Sequence, residues 1–163
     1  MYQVGHYGAA LFAYAPVGAA VAVAGYESAA VVGALVCVSL STVPDLDHRI
    51  PLIDHRGPTH TVLFAVLVGF GLAAATSVLV ASSSPIVDAG FVGFAFLVGI
   101  LSIGSHLLAD ALTPMGIRPF WPLSRRRYSF DVAGAGNPIA NYALLGLGVG
   151  AALVAATVVG LVG

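Results

Sequence analysis

Apolar runs at roughly 9–25, 28–43, 62–81, 90–109 and 139–162 alternate with short polar breaks along the chain. Each approaches the ~20 residues that an α-helix needs to cross a bilayer. The first run reads as a helix from about His6 to Gly25, with Pro16 as the kind of kink that helices tolerate inside lipid. Gly25-Tyr26-Glu27-Ser28 is a tight turn into a second helix over 28–43. Pro44 ends that helix, because a proline pushes the residue before it out of the α region. Thr59 is the expected N-cap of the third helix, which puts His60 in its first turn. Ser82-Ser83-Ser84-Pro85 closes the third helix, a fourth returns over 88–110, and a last one starts near Ile139. Gly146-x-x-x-Gly150 in the last helix has the spacing of close helix packing, which a Gly- and Ala-rich span also produces by chance. The pattern predicts an all-α polytopic membrane protein, about five transmembrane helices folded as a single domain over 1–163, with no internal repeat.

Composition strengthens that reading. With 59% apolar residues, 8% charged residues and a mean hydropathy of +0.99, no segment is left to build a soluble core of its own. The single cysteine, Cys37, lies in an apolar run and can form no internal disulfide. No basic residue precedes Arg49, so the first run lacks the n-region of a removable signal peptide. All six basic residues (Arg49, Arg56, Arg118, Arg125, Arg126 and Arg127) fall in loops on one side, while the opposite turns hold only Glu27 and Asp88. The positive-inside rule then places the N-terminus and the arginine-bearing side in the cytoplasm, and the C-terminus outside the cell membrane. The net charge of −1 by itself says nothing about partners, since the distribution matters and the sum does not; no nucleic acid is expected, and membrane lipids are the expected neighbours.

All five histidines and most of the acidic residues gather at that same end. Ionisable groups are costly at a membrane, so a convergent set is a functional site by default. His106 and Asp110 are four apart and share a helix face. Asp45 and Asp47 follow the helix-stopping proline, and on an extended backbone they would point the same way, with His48 directly after them. His55 and His60 flank a Gly57-Pro58 turn, and His6 sits near the start of the first helix. A polar contact between helices explains any one of these, but not the whole set at one membrane face. His6, Asp45, Asp47, His48, His55, His60, His106 and Asp110 are therefore expected to ligate one or two divalent metal ions. Mixed imidazole and carboxylate ligation without thiolate suits zinc first, then manganese or iron. Arg56 lies between candidate ligands, and guanidinium groups fit phosphate bidentately. Arg125, Arg126 and Arg127 are candidate phosphate binders too, or equally a cytoplasmic anchor beside Trp121.

These motifs together resemble the family of LexA-regulated inner-membrane proteins described as metal-dependent hydrolases. The resemblance covers about residues 5–130 and rests on His6, Pro44-Asp45-Leu46-Asp47-His48, His55-Arg56-Gly57-Pro58-Thr59-His60 and Ser105-His106-Leu107-Leu108-Ala109-Asp110. Leu112-Thr113-Pro114-x-Gly116 and Trp121-Pro122-x-Ser124-Arg125-Arg126 extend it. More distantly, the family is similar to zinc-dependent phospholipases C and single-strand nucleases, which implies phosphoester hydrolysis by a metal-activated water. The chain is much shorter than those enzymes and lacks a second H-x-x-x-E/D pair, which argues against a full three-metal cluster. The expected function is thus a membrane-embedded hydrolase of a lipid or lipid-linked phosphoester. Asp45 or Asp54 would take the proton, and Arg56 with one or more of Arg125–Arg127 would hold phosphate. Two non-catalytic alternatives stand beside it: a structural metal site that pins helix ends, and a metal transporter or sensor. Transport is disfavoured because mid-span polar groups are few (Ser39, Ser77, Ser102).

Overall fold

In lipid every backbone N–H and C=O must find a partner within the protein, and a chain this apolar does so by forming helices. The computed structural model describes residues 1–49, 56–82 and 84–162. It contains five α-helices: α1 (Gln3–Val23), α2 (Glu27–Leu40), α3 (Val62–Leu79), α4 (Pro85–Ala111) and α5 (Pro138–Val162). There is no strand among the described residues, only one isolated antiparallel bridge between Ile117 and Tyr128. Each helix, α2 with the 3-10 helix that follows it, is long and apolar enough to span a membrane. Pro16 lies inside α1 as expected, and Gly25 adopts the left-handed conformation (φ +87°) that turns the chain into α2.

Helices α1, α2 and α4 pack against one another, α3 lies on α4, and α5 lies on α1. One stripe of α1 (His6, Ala10, Tyr14) faces one stripe of α4 (Val98, Ser102, His106, Asp110), at the helical spacing of three and four residues. The Tyr14 hydroxyl donates to the Ala30 carbonyl (2.6 Å) and Ser102 Oγ donates to the Cys37 carbonyl (2.7 Å), tying both helices to α2. Close approach depends on glycines. A Cβ at Gly8 would overlap the Leu144 backbone, one at Gly148 would overlap Gly8, and one at Gly99 would overlap Gly69. The Gly146/Gly150 pair is not the packing face of α5, since a Cβ at either meets only open space; Gly148, between them, makes the contact.

Two local expectations change. Asp45 and Asp47 lie in a 3-10 helix, Val43–Arg49, not on extended backbone. At three residues per turn, side chains two apart point about 120° away from each other, so the carboxylates diverge. The N-cap of α3 is Thr61, whose Oγ1 accepts from the Phe64 N–H (3.1 Å), while His60 ends a separate 3-10 turn, Pro58–His60. Thr61 is the residue with extended backbone immediately before the helix, as a cap requires.

Gly8→Val should wedge α1 from α5 and cost about 1–3 kcal/mol, read as a lower unfolding midpoint in detergent. Gly146→Val, on the open face of α5, should leave the midpoint unchanged.

A buried histidine and aspartate cluster at one end of the bundle

His6 of α1, Asp45 of the first 3-10 helix, and His106 and Asp110 of α4 bring one ligand atom each within 4.8 Å of all the others. His60 joins them from the second 3-10 turn. Its Nε2 lies 3.0 Å from His106 Nε2 and 3.5 Å from both Asp45 Oδ1 and Asp110 Oδ2. His106 Nε2 lies 3.6 Å from each of the same two carboxylate oxygens, and His6 Nε2 lies 3.8 Å from Asp45 Oδ2 and 3.6 Å from Asp110 Oδ1. Donor atoms bound at ~2.0–2.2 Å to one tetrahedral ion stand about 3.3–3.6 Å apart, so these spacings suit a single shared cation. The four donors besides Asp45 are buried, and Asp45 is 26% exposed.

Hydrogen bonds behind the rings fix which nitrogen faces the cluster. His106 Nδ1 is 2.7 Å from the Ser41 carbonyl oxygen, which can only accept, so the ring proton sits on Nδ1 and a lone pair at Nε2 points inward. Behind His60, Asp47 Oδ2 lies 3.3 Å from Nδ1 and also accepts from Thr59 Oγ1 (2.9 Å). Thr59 Oγ1 stands 3.0 Å from the same ring nitrogen, so Nδ1–H is the donor there. Two inward lone pairs facing each other at 3.0 Å repel unless a cation or a proton lies between them. Both ring nitrogens of His6 and Asp110 Oδ2 are buried without a hydrogen-bond partner. Each such atom costs about 1–3 kcal/mol, which a bound cation would relieve. Burial lowers the pKa of His60, but the nearby carboxylates of Asp110, Asp45 and Asp47 outweigh burial and leave it raised. The cluster thus favours positive charge at its centre. This donor chemistry fits a divalent metal ion.

Among the described residues, Asp47, His48 and the arginines fall outside the donor set. Asp47 is buried but stands behind His60, where a carboxylate can orient an imidazole toward the cluster. His48 is exposed at the end of its 3-10 helix. Asp54 and His55 lie outside the described residues. The Arg56 guanidinium is fastened within the protein, NH2 to Asp110 Oδ1 (3.0 Å) and NH1 to Thr113 Oγ1 (3.0 Å) and the Gly116 carbonyl (2.8 Å). The Met1 amino nitrogen also reaches Asp110 Oδ1 (2.6 Å). Arg125, Arg126 and Arg127 are exposed, and Arg126 stacks on the Tyr128 ring at 5.3 Å. Sequence reasoning missed the supporting atoms, namely the Ser41 and Gly116 carbonyls and the Thr59 and Thr113 hydroxyls. Carbonyls leave no sequence signal, but Thr59 and Thr113 lie inside motifs that already carried ligands.

Ligand and supporting residues should separate by metal content. His106→Ala or Asp110→Ala should leave purified protein nearly metal-free by elemental analysis. Asp47→Ala should retain the site but weaken it by about 10–100-fold, since it acts through His60. His48→Ala should leave metal content unchanged.

Neither the curated proteins nor the solved structures give a match to this chain. The family comparison does, with the family described as YdjM inner membrane protein, over residues 1–162. A match from the first helix to the last takes in every segment that contributes to the cluster, together with all five spans. The chain belongs to the YdjM inner membrane protein family.

Proposed function

We propose that this chain is a membrane-embedded, metal-dependent hydrolase of a lipid-linked phosphoester, working from the cytoplasmic face. One observation carries the reading: among the described residues five imidazole and carboxylate donors converge, four of them buried, while the fifth, Asp45, is 26% exposed. A site meant only to be sealed has no need of a donor at its mouth. His6, His60, His106 and Asp110 would hold the ion, zinc by preference. When bound, it supplies Lewis acidity, polarising a phosphoryl oxygen and acidifying water. Asp45, at the opening, takes the proton of the attacking water on a carboxylate oxygen. Asp47 and Thr59 keep His60 aimed inward, and Arg56 keeps Asp110 in place while offsetting its charge. The position of the cluster at the end of the helices supports a substrate whose polar group lies at headgroup depth, and the arginine distribution supports a cytoplasmic location.

A second reading draws on the same donor count. Five donors suffice to fill the shell of a zinc ion, which would make the ion a structural pin between helix ends. The two readings separate on cobalt-substituted protein, where the visible absorption bands report the metal's shell. An open position predicts that phosphate or azide shifts those bands, and that the zinc form hydrolyses at least one member of a panel of phospholipids, lipid diphosphates and phosphodiesters in nanodiscs. Unmoved bands together with no turnover would leave the structural pin as the better account.

For orientation, a reporter active only after export should work when fused after Val162 and fail when inserted at residue 123. The reverse pattern would place the cluster on the outer face and exclude cytoplasmic substrates.

A further inference from the structure

The connection between α4 and α5 is built as a rigid hairpin, and the metal reading leaves its exposed surface unexplained. Ile117 and Tyr128 exchange both backbone hydrogen bonds (2.9 Å each) at its base. The Pro119 carbonyl accepts from the Val62 N–H (2.8 Å) at the start of α3, and the Phe130 N–H donates to the Ala111 carbonyl (2.8 Å) at the end of α4. The hairpin is therefore clamped to the helix ends, at the edge of the apolar spans. Its surface is strongly basic and partly apolar. Arg118, Arg125, Arg126 and Arg127 are all exposed, with Phe120 about half exposed and Leu123 95% exposed at the tip. No acidic residue occurs between Asp110 and Asp131, and Asp110 is already paired with Arg56. Arg118, Arg125 and Arg127 make no side-chain hydrogen bond or ion pair among the described residues.

We infer that the hairpin over residues 117–128 is a docking surface for anionic phospholipid headgroups, with the arginines on the phosphates and Phe120 and Leu123 in the acyl boundary. Charge complementarity selects this occupant. Four exposed arginines with no acid among residues 111–130, held at the ends of the apolar spans beside exposed apolar side chains, match a negative lipid layer on both counts. A fixed backbone means that little order has to be imposed on binding. The surface stands independently of what the metal cluster does.

The chain carries its own reporter, because Trp121 is the only tryptophan and sits within the hairpin. The whole protein in phosphatidylcholine nanodiscs would receive a minor fraction of brominated phosphatidylglycerol or, in parallel, of brominated phosphatidylcholine. Bromine quenches tryptophan only at short range, so quenching reads lipid composition beside the hairpin. The expected result is stronger quenching by the anionic lipid at equal fraction. That preference should weaken in high salt, fall by about fivefold or more in R125Q/R126Q/R127Q, and persist in R125K/R126K/R127K. Far-UV circular dichroism would check that the variants keep their helices, and the lipid comparison and its salt dependence in the native chain carry the test if the glutamine variant does not fold. Equal quenching by the two lipids in the native chain would overturn the inference. So would an undiminished preference in the glutamine variant, or its removal by dissolved inorganic phosphate at constant ionic strength, which would assign the arginines to free phosphate.

Discussion

Carboxylate oxygens of Asp45 and Asp110 and imidazole nitrogens of His6, His60 and His106 stand 3.0–3.8 Å apart at the end of an apolar bundle. Coulomb interactions there are several times stronger than in water, so like partial charges facing one another are expensive and a central cation is strongly favoured. The donors come from α1, α4 and the two turns that follow α2 and precede α3. A cation among them would therefore link four segments of the chain. Membrane helices gain little from apolar burial against one another, because lipid tails are as apolar as side chains. Polar convergence at the helix ends is thus a larger share of what fixes this tertiary structure than it would be in a soluble bundle.

The packing that sets those distances is continuous with the cluster. The α1 stripe of Ala10 and Tyr14 ends in His6, and the α4 stripe of Val98 and Ser102 ends in His106 and Asp110. Mid-membrane hydrogen bonds from Tyr14 and Ser102 to α2 carbonyls hold the rotation of both helices about their axes. A rotation of one residue, ~100°, would carry the ligands off the shared face. The same rotational setting that packs small residues in the lipid interior therefore aims the imidazoles at the edge.

Periodicity and length made five spans legible, because a membrane helix has a long, nearly uncompromised apolar signal. The His106/Asp110 pair was legible for a related reason: spacing of four means one face once a helix is certain. His6 had no spacing partner and was read in only through the end of the bundle it shares, where its ring stacks on His106 (3.8 Å between centroids). Asp47 was read as a ligand because period-two reasoning assumes an extended strand. A 3-10 turn instead sends Asp45 to the cluster and Asp47 to the outer nitrogen of His60. Short segments between helices do not reveal their backbone type, and the direction of every side chain there depends on it.

Arg56 shows how the cluster and the basic hairpin are joined. Its backbone lies in the left-handed region (φ 60°), a setting that costs a non-glycine residue roughly 1–2 kcal/mol. That conformation aims its N–H at Asp47 Oδ2 (3.2 Å) while the side chain runs the other way, to Asp110, Thr113 and Gly116. One residue thus contacts the carboxylate that orients His60, a carboxylate of the donor set, and the carbonyl immediately before the hairpin's first paired residue, Ile117. Gly116 itself is left-handed (φ 57°), and a Cβ there would overlap the Tyr128 backbone, so the hairpin base tolerates no side chain at that point. The Arg56 side chain thus connects the cluster directly to the hairpin base. A displacement of the hairpin base would reach Asp110 through Arg56.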